Sequence, residues 1–498
     1  MRIGRGDLVA GVTAAFVLIP QSLAYAQLAG MPPARGLYVA ALAPIAAAFF
    51  ASSPYLGTGP TAITSLLTLG ALTAIAAPGS FDYVALAGLL ALLVGTMRIL
   101  LGAFHAGTIV YLLSQPVITG FMTGAAAVIV ASQIPDLLYA TGSAANPFVA
   151  AWNALMQPGS WHLQSLFVGM ATVVVVLAGK RIHRLFPGIL LAVVGATLYG
   201  ALGGYTGHTV GEIGGSFPRL SLDLPWASIP LLLIPAMVIA VVGFSEPAAI
   251  ARHYAAIDRQ RWNPNREFVS QGVANLAAAI GGGFPVGGSF TRSAVVHDAG
   301  ATTRLAGGIT GLVVLVMLPF MDLLSSLPVP ALAAGVIVAV REMLSLRPFR
   351  EYWSYARLQF LVAGGTLVAT VSFAPHVERG VLVGVALATA AHLLRELRLS
   401  IPSWVSDNGT LHLAPKGVLY FASSPGLERT FTELLVAHPD SRKLVIHLDG
   451  LGRVDLTGAL ALRGLLEDAR AAGLETTVKD IPPQARKIIT RVVLDGDR

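Results

Sequence analysis

The sequence predicts a polytopic α-helical membrane protein with fourteen membrane segments in two inverted repeats of seven, followed by a small α/β domain. Two observations of composition lead there. Charged residues make up only 12% of the 498, and the mean hydropathy is +0.71, whereas a soluble chain carries about a quarter charged residues. The composition then changes near Pro402. Residues 401–498 hold 12 Lys/Arg and 12 Asp/Glu, so the whole excess of +7 falls in the first 400. A basic excess confined to the apolar part reads as membrane topology, so no nucleic-acid partner is expected.

A crossing needs about 20 apolar residues. Such stretches lie near 8–29, 35–51, 84–103, 106–134, 162–179, 185–202, 229–250, 267–281, 305–321, 331–344, 359–374 and 377–397, with half-length ones at 61–77 and 289–300. With the N-terminus inside, seventeen Lys and Arg residues fall at cytoplasmic ends, from Arg2 and Arg5 through Arg98, Lys180, Arg181 and Arg184 to Arg395 and Arg398. The outer ends collect Arg35, Arg219 and Arg379. The asymmetry predicts cytoplasmic termini, and the excess of arginine over lysine points to a bacterial chain, hence an inner-membrane location. No cleavable leader is evident after Met1-Arg2-Ile3-Gly4-Arg5. There is no cysteine, and no histidine spacing suits a metal, so neither a cofactor, a metal site nor enzyme chemistry is expected.

Internal symmetry appears at three places with nearly one offset. Arg35–Ala48 resembles Arg266–Ala279, Pro20-Gln21-Ser22 falls opposite Ser245-Glu246-Pro247, and Gly57–Thr61 falls opposite Pro285–Ser289. Because each copy has an odd number of spans, the second enters from the other side. The first repeat runs over about 8–203 and the second over about 228–398. A Gly/Pro-broken short helix at the same place in each copy marks the central site of a secondary transporter.

The second break reads GGGFPVGGSFTR from Gly281 to Arg292. Its glycines and proline oppose a helix, whereas the residues from Ser289 onward can continue as one. A helix N-terminus at membrane depth presents free N–H groups and about half a positive charge, which suits an anion. Arg292 falls on its first turn. Intramembrane charges are costly and usually functional. A purely structural role, snorkelling or pairing with an acid such as Glu246, is the alternative for Arg292. Glu246 is the acid placed deep in the eighth span and is the candidate for coupling transport to protons, or for balancing Arg292 in an empty site.

The run Pro20-Gln21-Ser22-Leu23-Ala24-Tyr25-Ala26 through Gly36-Leu37-Tyr38, with Gly59-Pro60-Thr61 and Gly288-Ser289-Phe290-Thr291-Arg292-Ser293-Ala294-Val295, resembles the SulP/solute-carrier-26 anion transporters. The resemblance covers essentially the whole chain. It implies core and gate domains in a transport domain over 1–400 and a cytoplasmic STAS domain over 403–498. It also implies an anion held between two facing half-helices, lined by Gln21, Tyr25, Thr61, Ala62, Ser289, Phe290, Thr291 and Arg292. A homodimer, and a cytoplasmic protein partner at the STAS domain, are further implied. Substrates in the family include sulfate, bicarbonate, halides and dicarboxylates such as fumarate, moved by alternating access. The chain departs from the family pattern at Pro247, Val296, Thr302 and Arg304.

Two other functions fit parts of the pattern. A nucleobase–proton symporter of the same fold would want a carboxylate on each half, where this chain has Gln21 and Glu246. A membrane sensor would use the STAS domain as its output. In that domain strands are expected at Leu411–Leu413, Val418–Phe421, Lys443–Leu448 and Glu475–Val478, with helices at Glu428–Ala437, Asp455–Ala472 and Gln484–Val493. Thr457 falls where related domains are phosphorylated, and helix capping with Asp455 is its plainer role.

Overall fold

The computed structural model describes residues 3–107, 114–140, 144, 146–182, 186–214, 216–396, 399–420 and 423–494. Arg2, Arg184, Arg398 and Phe421, named above, and the side chain of Lys180 lie outside them. The chain divides into two compact units, Met1–Ala388 and Thr389–Arg498.

The first unit is helical. Its first half runs α1 (Arg5–Leu28), α2 (Pro33–Phe50), the short strand β1 (Gly57–Gly59), α3 (Ala62–Leu72), α4 (Phe81–Ala103), α5 (Gln115–Leu138), α6 (Pro147–Leu155), α7 (Leu163–Ile182) and α8 (Gly188–Ala201). The second half runs α9 (Ile229–Ile257), α10 (Pro264–Ile280), β2 (Gly287–Ser289), α11 (Phe290–Asp298), α12 (Leu305–Met317), α13 (Val329–Val340), α14 (Arg347–Tyr355), α15 (Arg357–Ser372) and α16 (Val377–Glu396). Polar side chains start several of these helices. Thr61, Ser80 and Asn263 accept from the amides of Thr64, Tyr83 and Arg266 at 3.3, 3.2 and 3.1 Å, satisfying donors that a helix start leaves free.

Each expected membrane segment overlaps a helix, but fourteen is not an exact count of crossings. Among the described residues eight helices are long and apolar enough to span a bilayer, and four further apolar ones are shorter. Of the remaining two, α11 has only nine residues and α10 carries several polar side chains. They pack inside the protein, where α10 buries Glu267, Ser270, Gln271 and Asn275. The continuous segment expected over 106–134 is corrected as well. His105 takes a left-handed φ of 57°, α4 ends at Ala103, and α5 begins only at Gln115 beside Pro116. Two helices were not expected, α6 and α14. The latter buries Phe349 and exposes Arg350, Trp353 and Tyr355, the division of a helix lying at an interface.

Packing sorts the helices into two sets. In one, α10 lies against α4 and α2, and α12 against α2 and α1. In the other, α5 is flanked by α15 and α13, and α7 by α13 and α8. The first set, from 5–103 and 229–317, is built by equivalent parts of the two halves, as the core of an inverted repeat requires. At its centre β1 pairs antiparallel with β2, Thr58 opposite Gly288. Antiparallel pairing is what two equivalent segments entering from opposite sides must adopt.

The second unit has a four-stranded sheet in the order β3 (Ser403–Val405), β4 (Thr410–Leu413), β6 (Lys443–His447), β8 (Glu475–Lys479), and a separate pair β5 (Gly417–Leu419) with β7 (Leu451–Val454). Helices α17 (Ser424–Ala437), α18 (Leu456–Ala471) and α19 (Pro483–Ile489) complete it. Leu411, Leu413, Leu444 and Ile446 pack against Leu427, Phe431, Leu462 and Leu466 in one apolar core. Asp455 caps α18, accepting the Gly458 amide at 2.7 Å; Thr457 is exposed on its first turn. The short strands β3 and β7 were not expected.

The strand crossing leaves no room for side chains. A Cβ on Gly57 would fall 2.6 Å from the Cβ of Arg292. Gly57→Ala is expected to destabilise the unit by about 1–3 kcal/mol, read as a lower thermal midpoint of the purified protein. An unchanged midpoint would show that the crossing yields freely.

Candidate functional site

The site is built where two helices begin inside the protein. Thr61 and Ser289 occupy the N-cap positions of α3 and α11 in extended conformation, and β1 and β2 deliver both starts to one place. The two ends are finished differently. Thr61 caps its own helix and shares a 2.9 Å hydroxyl contact with Thr64. Ser289 makes no side-chain cap, its hydroxyl lying 3.0 Å from that of Thr291. The Phe290 amide instead donates to Oε1 of Glu246 on α9 at 3.3 Å. One half-helix is therefore closed by its own side chain, and the other by a carboxylate from a different helix.

Arg292 is 1% exposed. Its Nη1 donates to Oε1 of Gln21 on α1 at 3.1 Å, and its Nη2 to the Gly57 carbonyl at 3.2 Å. Its Nε is buried without a partner. Gln21, at 6% exposed, is held by that arginine. The direct Glu246–Arg292 ion pair considered above is not formed, because the two groups take different partners. Ala62 is buried on the first turn of α3, and Phe290 is the exposed member of the group at 40%.

Two cavities flank this region. The smaller, about 10 Å³, lies beside Gln21 and Tyr25 and is walled by Ile189 and Val193 of α8 and Ala331, Leu332 and Val336 of α13. The larger, about 330 Å³, is lined by Glu246, Ser245, Arg252, Gln115, Trp262 and Phe290 among others.

The polar frame behind the site went unseen in the sequence. Arg98 had been placed at a cytoplasmic helix end. It is fully buried, and it donates from Nε to Ala240 O at 3.1 Å, from Nη2 to Ile239 O at 3.1 Å, and from Nη1 to Val286 O at 2.8 Å. Asn275 binds the same peptide, accepting the Val286 amide at 2.9 Å and donating to its carbonyl at 3.2 Å. Gln271 reaches the Thr58 hydroxyl at 2.8 Å. Ser293 Oγ accepts the Gly57 amide at 2.9 Å. Burial explains the bonds to Val286 and Gly57: an unwound backbone away from water must be paired by side chains.

Residues 5–366 match the model of the sulfate permease family. The chain belongs to that family. Residues 402–497 match the STAS domain. A "Probable sulfate transporter" of Mycobacterium tuberculosis is 34% identical over 405 residues, covering 79% of this chain and 70% of the relative. The sodium-independent sulfate anion transporter of Bos taurus is 28% identical, covering 99% and 85%. Among solved structures, SLC26A9 superimposes with a TM-score of 0.88 at 20% identity, covering 99% of this chain and 87% of that one. The transmembrane domain of a cyanobacterial bicarbonate transporter, BicA, gives 0.67 at 24% identity, covering 77% and 97%. A permease with this fold is a multi-pass membrane protein of a transporter family, not an enzyme.

In this permease the departures from the family pattern have structural roles. The amides of Thr302 and Thr303 both donate to Oδ1 of Asp7 at 2.8 Å, and Arg304 Nη1 donates to Ala51 O at 3.0 Å. His297, next to Val296, is packed between Tyr55 and Tyr254, with Nδ1 at 3.2 Å from Asp298.

The Asn275 clamp gives a prediction of its own. Asn275→Ala leaves the Val286 amide without an acceptor and is expected to cost about 1–3 kcal/mol. Thermal unfolding of the full-length protein measures it; a change below a few tenths would mean another group takes the amide.

Proposed function

We propose that this permease is a secondary active anion transporter working by alternating access, with proton-coupled uptake of sulfate as the first reading and bicarbonate or a dicarboxylate such as fumarate as the variants to be tested. The observation that carries it is the α11 N-terminus, whose Phe290 amide holds a carboxylate from Glu246 beside the buried guanidinium of Arg292. That carboxylate sits where a substrate anion would find the same donor. The α3 N-terminus and Arg292 Nε supply further positive groups, and Gln21, Tyr25, Thr61, Ala62, Ser289 and Thr291 line the place. Relatives named as sulfate transporters support the substrate class. An arginine held by Gln21, where a nucleobase carrier would want a second carboxylate, favours an anion over a base.

The coupling reading follows from competition for one donor. An arriving anion displaces Glu246 from the Phe290 amide, and a displaced carboxylate at membrane depth is stabilised by taking a proton. Anion and proton then travel together. The cavity of about 330 Å³ is lined by Arg252 and Trp262, near the end assigned to the cytoplasm, which supports approach of the anion from that end. Both termini are placed there, in a bacterial inner membrane, with a transport domain ending near residue 400, a cytoplasmic STAS domain after it and a homodimer as the working form.

Purified protein in liposomes tests the whole reading. Uptake of sulfate, bicarbonate and fumarate is measured under imposed pH gradients, and binding without flux would instead make the protein a sensor. Arg292→Ala is expected to weaken anion binding roughly 10- to 100-fold, the worth of one or two hydrogen bonds to a charged group. Unchanged affinity would mean that the backbone amides hold the anion alone. Glu246→Gln keeps an oxygen for the Phe290 amide and is expected to retain uptake while losing its acceleration by an inward proton gradient. Full pH dependence in that variant would sink the coupling role.

A further inference from the structure

Arg98 has no part in the site as described, yet it is a buried cation with no acid beside it. All three of its hydrogen bonds go to backbone carbonyls, of Ile239 and Ala240 on α9 and of Val286 at the entry to β2. Among the described residues no carboxylate lies within ion-pair distance of it. Carbonyl dipoles solvate its charge without cancelling it.

Its position is fixed by close approaches. A Cβ on Gly243 would lie 2.8 Å from Arg98 Nη2 and 3.3 Å from Cγ2 of Thr64 on the first turn of α3. A Cβ on Gly287, the residue after Val286, would lie 3.6 Å from Cγ2 of Thr61. On the other strand of the crossing, a Cβ on Gly59 would lie 3.5 Å from Arg292 Nη2. The crossing therefore has a guanidinium near each of its strands, Arg292 by β1 and Arg98 at the entry to β2. Of the elements packed on Arg98, α3 presents Thr64, α10 presents Asn275, and α9 presents its carbonyls. The acid of α9, Glu246, is six residues beyond Ala240, about 9 Å along the helix axis.

We propose that Arg98 is a specificity-determining charge behind the anion site, setting its preference for doubly over singly charged anions. This rests on the anion reading above. The two arginines give two positive charges against one carboxylate. A dianion with Glu246 protonated closes that balance, and a monoanion leaves the region positive. Taking the span along α9 from Ala240 to Glu246, about 9 Å, as the separation of the Arg98 charge from the anion, an effective dielectric near 20 separates a dianion from a monoanion by about tenfold in affinity.

The test compares sulfate with sulfamate, a singly charged ion of nearly the same shape, by titration calorimetry on full-length wild-type protein, Arg98→Lys and Arg98→Gln. Wild type is expected to bind sulfate more tightly. Arg98→Lys keeps that ratio, and Arg98→Gln lowers it about tenfold with sulfamate affinity changing less. A wild-type ratio retained in Arg98→Gln overturns the proposal. So does loss of the ratio in Arg98→Lys, which would assign the effect to hydrogen-bond geometry instead of charge. If Arg98→Gln does not fold, Arg98→Met, which keeps the length of the side chain without the charge, takes its place with the same expected fall in the ratio, and wild type showing no preference for sulfate also overturns the proposal. Binding of neither ion by wild type would count against the anion reading itself, whereas binding of both at a ratio indifferent to residue 98 would remove only the role of Arg98.

Discussion

The antiparallel crossing of Gly57–Gly59 with Gly287–Ser289 is the constraint on which the rest of the membrane unit depends. Two chain segments leave helical geometry there, in a protein region with little water, and each exposes peptide groups that a continuous helix would have paired. Pairing the segments with each other satisfies only part of that demand. The remainder falls on side chains brought in from α4, α10 and α11, and this explains why polar residues accumulate in otherwise apolar helices. Asn275 and Arg98 converge on one peptide, Val286. Gln271 and Ser293 serve Thr58 and Gly57. Removing water from such groups without pairing costs several kcal/mol each in hydrocarbon, so the crossing and its frame form together.

The same crossing makes a positive region out of neutral parts. Both half-helices start beside it, α3 after Gly59 and α11 after Ser289, so the partial positive charges of two helix N-termini fall near one crossing. Ordinary helix capping would cancel the effect, and α3 is capped in this way by Thr61. At α11 the cap residue Ser289 turns to Thr291 instead, leaving the Phe290 amide for a group that can leave. A cap supplied from α9 distinguishes this helix start from α3, and the transport reading above depends on that cap being exchangeable.

What could be read from the sequence follows the range of the interactions. The half-helix starts were placed within a residue or two because glycine and proline act locally, through backbone freedom and the missing N–H. The repeat was readable because both copies kept these breaks at one spacing. Arg98 was not readable. It lies five residues before the end of α4, where charge counting assigns an arginine to the membrane surface, and only contacts with residues 141 to 188 positions away place it in the interior. Asn275 and Gln271 were hidden for the same reason. A direct Glu246–Arg292 ion pair, the alternative considered for Arg292, does not form because each group has a backbone partner that becomes visible only with the crossing. In the second unit β3 and β7, three and four residues long, are too short to show an alternation.

The boundary between the two helix sets differs in kind on the two sides of the site. Beside Gln21 and Tyr25 the facing wall is apolar, formed by Ile189, Val193, Ala331, Leu332 and Val336, while the polar bonds of Gln21 and Arg292 stay within the first set. A displacement of one set against the other would open that wall by exposing apolar area, without breaking a hydrogen bond there. Beside Glu246 the wall already includes Gln115 and Arg252 around an open volume. The site's own geometry would be carried unchanged through such a motion, because β1, β2, α1, α3, α9 and α11 all belong to the set that the crossing ties together. Rigidity at the crossing and slip at an apolar wall are complementary requirements. In the transport cycle proposed above, the first would hold an anion in one geometry, and the second would let water reach it from either side in turn.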